Sequence, residues 1–281
     1  SDPHEIANVC GINGVKFMIN NGKKVPFRFY FGAPSCVPAT DFESSGAVLG
    51  PDEIEELLSM DEVIYLAEMM NFPGVLYDDK IVYEKINIAQ KYNKVIDGHA
   101  PGLISDEAAK YANAGITTDH ECINIEEAIA KIKNGMLIQV REGSAAKNFD
   151  ALIELLNIYP DNVMFCSDDK HPNDLIKGHI NLLVKRAIKA GYDPIKVLRA
   201  CTAIPVNHYG LDSGLLRKGD NADFIIVDNL NDFNVLETYI NGKMVAQNGT
   251  TLINSVNETP INNFNAKYIS ADQLKVKAEN D

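Results

Sequence analysis

Short apolar runs alternate with amphipathic helical stretches from residue 25 to residue 205, and this alternation constrains the fold most strongly. Strands are predicted at residues 28–31, 95–99, 116–119, 136–140 and 163–166. Helices are predicted at residues 52–58, 61–70, 81–92, 105–114, 124–135, 149–158, 174–190 and 194–203. Each crossover helix returns the chain to the same end of the next strand, so the strands should be parallel. The pattern alone is compatible with a barrel and with a doubly wound sheet.

Beyond residue 208 the pattern changes to short strands at residues 222–227, 235–240 and 243–247. The Asn241-Gly242 pair between the last two is a typical hairpin turn. We therefore expect a small β-sandwich unit packed beside the parallel strands. The predicted division is a βα part at residues 1–207, the β unit at 208–250, and at 251–281 a linker with the start of a truncated further domain.

Composition and charge exclude several classes of protein. The net charge of −13 is spread along the chain, whereas nucleic-acid binding requires a basic face. No apolar run approaches the roughly 20 residues that span a bilayer, so we expect no integral membrane protein. The five cysteines form no close pair, which excludes a zinc ribbon or a redox CxxC motif. Widely spaced cysteines in odd number indicate reduced thiols and a cytoplasmic location.

Polar residues recur just past the predicted strand ends, about one βα unit apart. They are His99, His120, Arg141 and Asp168. In a parallel barrel these strand ends converge on one rim, where two histidines and a carboxylate predict a divalent-metal site. Each residue also has a simpler interpretation, as a loop or capping residue or, for Arg141, as half of a surface ion pair. On position alone, a structural role is the interpretation for His4, His179 and His208.

Several longer segments resemble the signature blocks of the bacterial adenine deaminase family of amidohydrolases. They are DPHEIANV (residues 2–9), PSCVPAT (34–40), DGHAPG (97–102), TDHE (118–121), REGSAAKN (141–148) and SDDKHP (167–172). The segment KGDNADF at residues 218–224 is similar to an element found across amidohydrolases. The resemblance extends from residue 1 to about residue 250.

This resemblance implies a (β/α)8 TIM-like barrel of the metal-dependent hydrolase type with a binuclear centre. The family's fifth- and sixth-strand histidines match His99 and His120, and its eighth-strand aspartate matches Asp168. Glu43 is the candidate for the carboxylate that bridges the two ions. The expected metal is Mn²⁺ or Fe²⁺, with Zn²⁺ as an alternative, because histidine and carboxylate ligands suit all three.

The implied reaction is the hydrolysis of adenine to hypoxanthine and ammonia, a step of purine salvage. Asp168 would take the proton from a metal-activated water and Glu121 would protonate a ring nitrogen. Asp169 is the alternative to Asp168, because adjacent strand residues face opposite ways. The expected substrate-binding residues are Arg141, Ser144 and His171.

The chain departs from the family in one respect, because no His-x-His motif occurs in it. In the family that motif lies upstream of the Asp-Pro-His-Glu block. We therefore expect a fragment that lacks the first barrel strand and most of a C-terminal domain. Such a chain should be nearly inactive on adenine, and its open sheet edge should favour a homo-oligomer or a partner chain. Two alternatives stay open: an amidohydrolase acting on a cyclic amide or another aminated heterocycle, and a non-catalytic barrel scaffold.

Overall fold

Six parallel strands follow one another in chain order in the computed structural model, which describes residues 1–40, 42–263 and 265–277. The strands are β1 (Phe31–Ala33), β2 (Val63–Met69), β3 (Val95–Gly98), β4 (Thr118–Asp119), β5 (Leu137–Arg141) and β6 (Val163–Cys166). The first three form one sheet and the next three a second. A hydrogen bond from Thr117 N to Ile96 O (2.9 Å) connects β4 to β3. A doubly wound sheet would reverse its strand order, so the barrel alternative is confirmed for these six strands.

Helices separate the strands and cover their outer faces. Before β6 they are α1 (His4–Gly22), α2 (Pro51–Leu58), α3 (Phe72–Leu76), α4 (Lys80–Lys91), α5 (Ser105–Asn113), α6 (Ile125–Lys133), α7 (Phe149–Leu152) and α8 (Leu155–Ile158). After β6 they are α9 (Pro172–Leu175), α10 (Ile180–Lys189), α11 (Pro194–Cys201) and α12 (Ala203–Tyr209). None of the described helices is both long and apolar enough to cross a membrane.

Local sequence explains where several of these helices begin. The Asp79 side chain accepts hydrogen bonds from the first backbone N–H groups of α4, and Asn124 and Asp193 do the same for α6 and α11. These short polar side chains satisfy donors that have no partner within the helix. The predicted helix starts near residues 81, 124 and 194 are confirmed for this reason.

The region of residues 61–70 was predicted as a helix, and this prediction is wrong. It forms β2, which pairs in parallel with both β1 and β3. A short apolar run that is buried on both faces has no alternation to mark it as a strand, so periodicity cannot separate it from a buried helix. The predicted helix at 174–190 is likewise two helices, α9 and α10, with Gly178 at positive φ between them.

The C-terminal β unit is a four-stranded antiparallel sheet in the order β10-β9-β8-β7. Its strands are β7 (Phe224–Val227), β8 (Val235–Ile240), β9 (Lys243–Gln247) and β10 (Thr250–Thr251). Asn241 and Gly242 both have positive φ (50° and 73°), as a two-residue hairpin turn of this type requires. The described residues supply one sheet here, not the second layer of a sandwich. The domain division stays a prediction, and residues 264 and 278–281 of its last part lie outside the described residues.

The buried apolar side chains form two clusters along the chain. One draws mainly on residues 7–116 and packs around β1–β3, and the other draws on residues 122–233 and packs around β4–β6. The boundary between the clusters falls between β3 and β4. The candidate site lies at the rim of this boundary.

Candidate metal centre

The carboxyl ends of five successive strands deliver polar side chains to one rim. Glu68 is the penultimate residue of β2, His99 follows β3, His120 follows β4, Arg141 ends β5, and Asp168 stands two residues beyond β6. Because the strands are parallel, these residues share one end of the sheet although a hundred positions separate the first from the last. The two histidines predicted from sequence are therefore neighbours, with ring centroids 5.3 Å apart.

One carboxylate oxygen lies between the two imidazoles. Glu68 Oε2 is 3.0 Å from His99 Nδ1 and 3.0 Å from His120 Nε2. His120 Nε2 is buried and makes no hydrogen bond of acceptable geometry. A buried nitrogen without a partner is costly in a folded protein, so its position beside Glu68 calls for a further ligand.

A second pair of carboxylates is held against the first group by Arg141. The guanidinium donates 2.7 and 2.8 Å hydrogen bonds to Asp168 Oδ2 and Glu121 Oε2. Asp168 Oδ1 is 4.0 Å from His120 Nε2, and Glu121 Oε1 is 3.4 Å from His99 Nδ1. Arg141 itself is buried, so it fixes both carboxylates in one arrangement.

The charges of this group favour an added cation. Burial disfavours the charged form of Glu68, but the His120 and His99 imidazoles beside it outweigh burial and hold its pKa below the usual range. Burial also opposes protonation of His120, yet the adjacent Glu68 carboxylate raises the pKa of His120 to about 9. A metal ion bound beside Glu68 would compete with this proton for Nε2 of His120.

The donor set fits a divalent metal. Glu68, His99 and His120 offer ligand atoms within 4.8 Å of one another, and His120, Glu121 and Asp168 do the same. Imidazole nitrogen and carboxylate oxygen together are typical ligands of Mn²⁺, Fe²⁺ and Zn²⁺. The two groups share His120, whose Nε2 has oxygens of Glu68, Glu121 and Asp168 within 4.0 Å.

Comparison with known proteins identifies the family. The sequence model described as "Amidohydrolase family" matches residues 1–245 of this chain. The chain belongs to the amidohydrolase family. Curated relatives include adenine deaminases of Salinibacter ruber, 56% identical over 100% of this chain and 52% of the relative, and of Sulfurovum sp., 58% identical over 92% and 49%. The chain spans about half the length of the curated relatives it matches.

Two solved structures share the fold at low sequence identity. N-acetyl-D-glucosamine-6-phosphate deacetylase from Mycobacterium smegmatis has a TM-score of 0.62 at 15% identity, covering 88% of this chain and 73% of that one. β-Aspartyl dipeptidase from Fervidobacterium islandicum AW-1 has a TM-score of 0.57 at 17% identity, covering 87% and 71%. This likeness establishes the architecture of the amidohydrolase barrel and leaves the substrate open.

The structure distinguishes Asp168 from Asp169. Asp168 has a positive φ of 52°, a conformation that aspartate tolerates better than most residues, and its carboxylate meets Arg141 and faces His120. Asp169 instead lies close to His4 and Glu5. The turn at residue 168 thus sends the two adjacent carboxylates to different neighbours.

Glu43, the expected bridging carboxylate, is not brought to this centre. It is exposed, and its carboxylate accepts hydrogen bonds from Ala39 N (3.2 Å) and Thr40 Oγ1 (3.4 Å) within its own loop. Glu68, and not Glu43, lies between the two imidazoles. Glu68 was not predicted because residues 61–70 have the pattern of a helix, and a helix would not deliver Glu68 to the rim where the strands end.

Ser144 and His171 form a separate loop contact. Ser144 Oγ donates to Asp174 Oδ2 (2.7 Å) and accepts from His171 N (2.9 Å). The described residues that line the cavity beside the metal centre include neither of them. Their part in substrate binding stays a prediction.

His4 is a second residue that position alone did not single out. Its Nδ1 is 3.1 Å from Asp2 Oδ2 and 3.8 Å from Glu68 Oε1, and its Nε2 is 3.2 Å from Glu5 Oε1. The Asp2 and Glu5 carboxylates beside the ring raise the pKa of His4 to about 11. The only sequence signal was its place in the Asp-Pro-His-Glu block.

A cavity of about 690 Å³ opens beside the centre. Its lining includes the polar side chains of Glu68, His120 and Asp168 and also the Tyr65 and Tyr209 rings. These rings meet edge to face with centroids 5.6 Å apart. The cavity therefore combines candidate metal ligands with aromatic rings, as expected of a small-molecule site.

Proposed function

We propose that the full-length protein is a metal-dependent amidohydrolase that converts adenine and water to hypoxanthine and ammonia. The observation that carries this proposal is the similarity to proteins named adenine deaminase over nearly the whole chain, 56% and 58% identical in the two cases given above. The convergence of His99, His120, Glu68 and Asp168 at the barrel rim supports it, since hydrolysis at C6 of a purine needs an activated water.

Glu68, His99, His120 and Asp168 are the proposed metal ligands. Glu68 replaces Glu43 as the proposed bridging carboxylate, because one of its oxygens is equidistant from both imidazoles. Mn²⁺ or Fe²⁺ is the proposed metal, with Zn²⁺ as the alternative. When bound, the metal lowers the pKa of a coordinated water toward about 7 and so makes a nucleophile available at neutral pH.

The proton transfers are assigned to two carboxylates. Asp168 accepts the proton of the attacking water and passes it toward the leaving amine. Glu121, in its acid form, delivers its proton to a ring nitrogen of the purine, which makes C6 more electrophilic, and it regains a proton from the C6 hydroxyl as ammonia leaves and the carbonyl of hypoxanthine forms. Arg141, which donates to both carboxylates, is proposed to orient them rather than to contact substrate directly.

Location and assembly are further parts of the proposal. All five cysteines are free thiols, which supports a reducing compartment such as the cytoplasm. The acidic charge supports a small-molecule partner over nucleic acid. We keep the homo-oligomer as a proposal that sedimentation of the purified full-length protein would test.

The deciding experiment is a turnover assay on the full-length protein loaded with Mn²⁺ or Fe²⁺. We expect hypoxanthine and ammonia to appear in equal amounts with adenine as substrate. Cyclic amides and other aminated heterocycles serve as competing substrates in the same assay. Hydrolysis of one of these without adenine turnover would favour a different amidohydrolase, and a protein that binds no metal and hydrolyses nothing would favour the scaffold alternative.

A further inference from the structure

A fully buried ionic cluster lies directly behind the two histidines of the centre. It consists of Lys131 and Glu127 on α6 and Asp119 at the end of β4, each at most 1% exposed. Lys131 Nζ is 2.9 Å from Asp119 Oδ2 and 2.9 Å from Glu127 Oε1. Charges without access to water are costly to bury, and apolar side chains of similar volume could fill this space. The cluster therefore calls for a role beyond filling the core.

The carboxylate of Asp119 joins the two loops that carry the histidines. It accepts a hydrogen bond from Ala100 N (2.7 Å), the residue after His99. It also accepts from Glu121 N (3.0 Å) and Cys122 N (3.1 Å), which follow His120. One carboxylate thus fixes the peptide groups beside both proposed metal ligands.

Glu127 and Lys131 also form hydrogen bonds with the backbone of these loops. Glu127 accepts from Gly102 N (2.8 Å) in the loop after β3 and from Ile123 N (3.1 Å) in the loop after β4. Lys131 Nζ donates to Ala100 O (2.6 Å). Every backbone group held by the cluster belongs to one of these two loops, and an apolar side chain could hold none of them.

We propose that Lys131, Asp119 and Glu127 are positioning residues that lock the His99 and His120 loops in the geometry the metal requires. Metal ligands must be held to within about 0.5 Å, and loops alone rarely achieve this. A buried carboxylate with several backbone donors is rigid, and the Lys131 ammonium lies 2.9 Å from an oxygen of each carboxylate, so it balances their charge where water is absent. The inference rests on the proposed metal centre and does not depend on which substrate the centre acts on.

The principal test compares Lys131→Met with Leu156→Ala in the full-length protein. Leu156 is fully buried in the core around β4–β6, and its apolar side chain forms no hydrogen bond with either histidine loop, so Leu156→Ala should lower thermal stability without releasing the loops. We expect Lys131→Met to weaken Mn²⁺ affinity by about 10- to 100-fold, the range found when partners behind metal ligands are removed. Leu156→Ala should keep wild-type affinity. Equal Mn²⁺ affinity in the wild type and Lys131→Met would overturn the proposal.

Hydrogen exchange of the metal-free protein gives a second readout at single amides. Lys131→Met should speed exchange at Ala100, Glu121 and Cys122, whereas Leu156→Ala should leave these amides protected relative to their neighbours. If Lys131→Met does not fold, Glu127→Gln keeps the shape and the Lys131–Asp119 pair. Its one remaining acceptor oxygen can bond to only one of Gly102 N and Ile123 N, so the other amide should exchange faster, and unchanged protection of both would count against the proposal.

The two proposals fail in different ways. A wild-type protein that binds Mn²⁺ and has protected loop amides, but does not turn over adenine, contradicts the proposed function alone. Full turnover of adenine in the wild type, together with unchanged metal affinity and loop protection in Lys131→Met, contradicts the positioning role alone.

Discussion

Glu68 is the residue on which the proposed metal centre depends most directly, since one of its oxygens approaches both imidazoles. Glu68→Gln preserves its volume but removes the charge that a divalent ion needs. We expect Mn²⁺ affinity to fall by at least about 10-fold and adenine turnover to fall with it. Metal content after dialysis and steady-state kinetics are the measurements.

Glu43→Gln is the matched control for this change. Its exposed carboxylate serves only its own loop, so metal content and turnover should equal those of the wild type. Loss of metal from Glu43→Gln, with Glu68→Gln unaffected, would return the bridging role to Glu43.

The neighbouring aspartates allow a comparison across one peptide bond. Asp168→Asn should lower kcat by about 10²- to 10⁴-fold, because the proposed proton acceptor is lost. Asp169→Asn should retain most of the turnover, since its carboxylate faces His4 and Glu5 instead. Single-turnover kinetics on both variants, with circular dichroism as the check on folding, would exclude our assignment if Asp169→Asn were the inactive one.

The sequence located some site residues and missed others for identifiable reasons. His99 and His120 each follow a strand that a turn or helix cap delimits, so their place at the rim could be predicted. Asp168 was distinguished from Asp169 only by family resemblance, and the positive φ that separates them is not visible in sequence. The hydrogen bonds that Arg141 donates to Glu121 and Asp168 could not be predicted either, because they join side chains from three different strand ends.

At the scale of elements, β3 and β4 approach so closely that Gly98 has no room for a side chain. A Cβ at this position would lie 2.2 Å from Thr118 O, which is backbone and cannot turn aside. Gly98→Ala should force the strands apart, shift His99 and destabilise the fold by about 1–3 kcal/mol. Urea unfolding and metal affinity should both register the change.

Gly50→Ala is the control for the Gly98 substitution. Gly50 has a φ of −82°, and a Cβ there would meet only the flexible Glu53 side chain at 3.1 Å. As a helix N-cap it should lose less than about 1 kcal/mol and leave metal affinity unchanged. If both variants lost the same stability and affinity, close strand approach at Gly98 would not explain its effect.

Elements with polar boundaries were the predictable ones. Asp79 and Asn124 mark the starts of α4 and α6 through side-chain hydrogen bonds, and the sequence carries that signal locally. The strand β2 has no such boundary. Its residues are apolar except for Glu68. Its identity comes from pairing with β1 and β3, which are distant in the chain, so local pattern could not establish it.

For the whole molecule, bound metal should act as a ligand that stabilises the folded state. At a free Mn²⁺ concentration of about 100 times Kd, the expected gain in unfolding free energy is about 2.7 kcal/mol. Thermal unfolding of chelator-treated protein with and without added Mn²⁺ measures this gain as a rise in Tm. The rise should be smaller in Glu68→Gln, and a Tm that does not respond to Mn²⁺ in the wild type would contradict the proposed centre.

The centre lies on the boundary between two core clusters, and this position affects how the protein loses activity on heating. Glu68 and His99 belong to the half-barrel of β1–β3, and His120 and Asp168 to that of β4–β6. Slight parting of the half-barrels would separate the ligands while each half keeps its own core. Mild heating should therefore extinguish turnover before helical structure is lost, so the temperature of half-inactivation would lie below Tm. A saturating concentration of metal would link ligands from both halves. It should therefore reduce the difference between the temperature of half-inactivation and Tm.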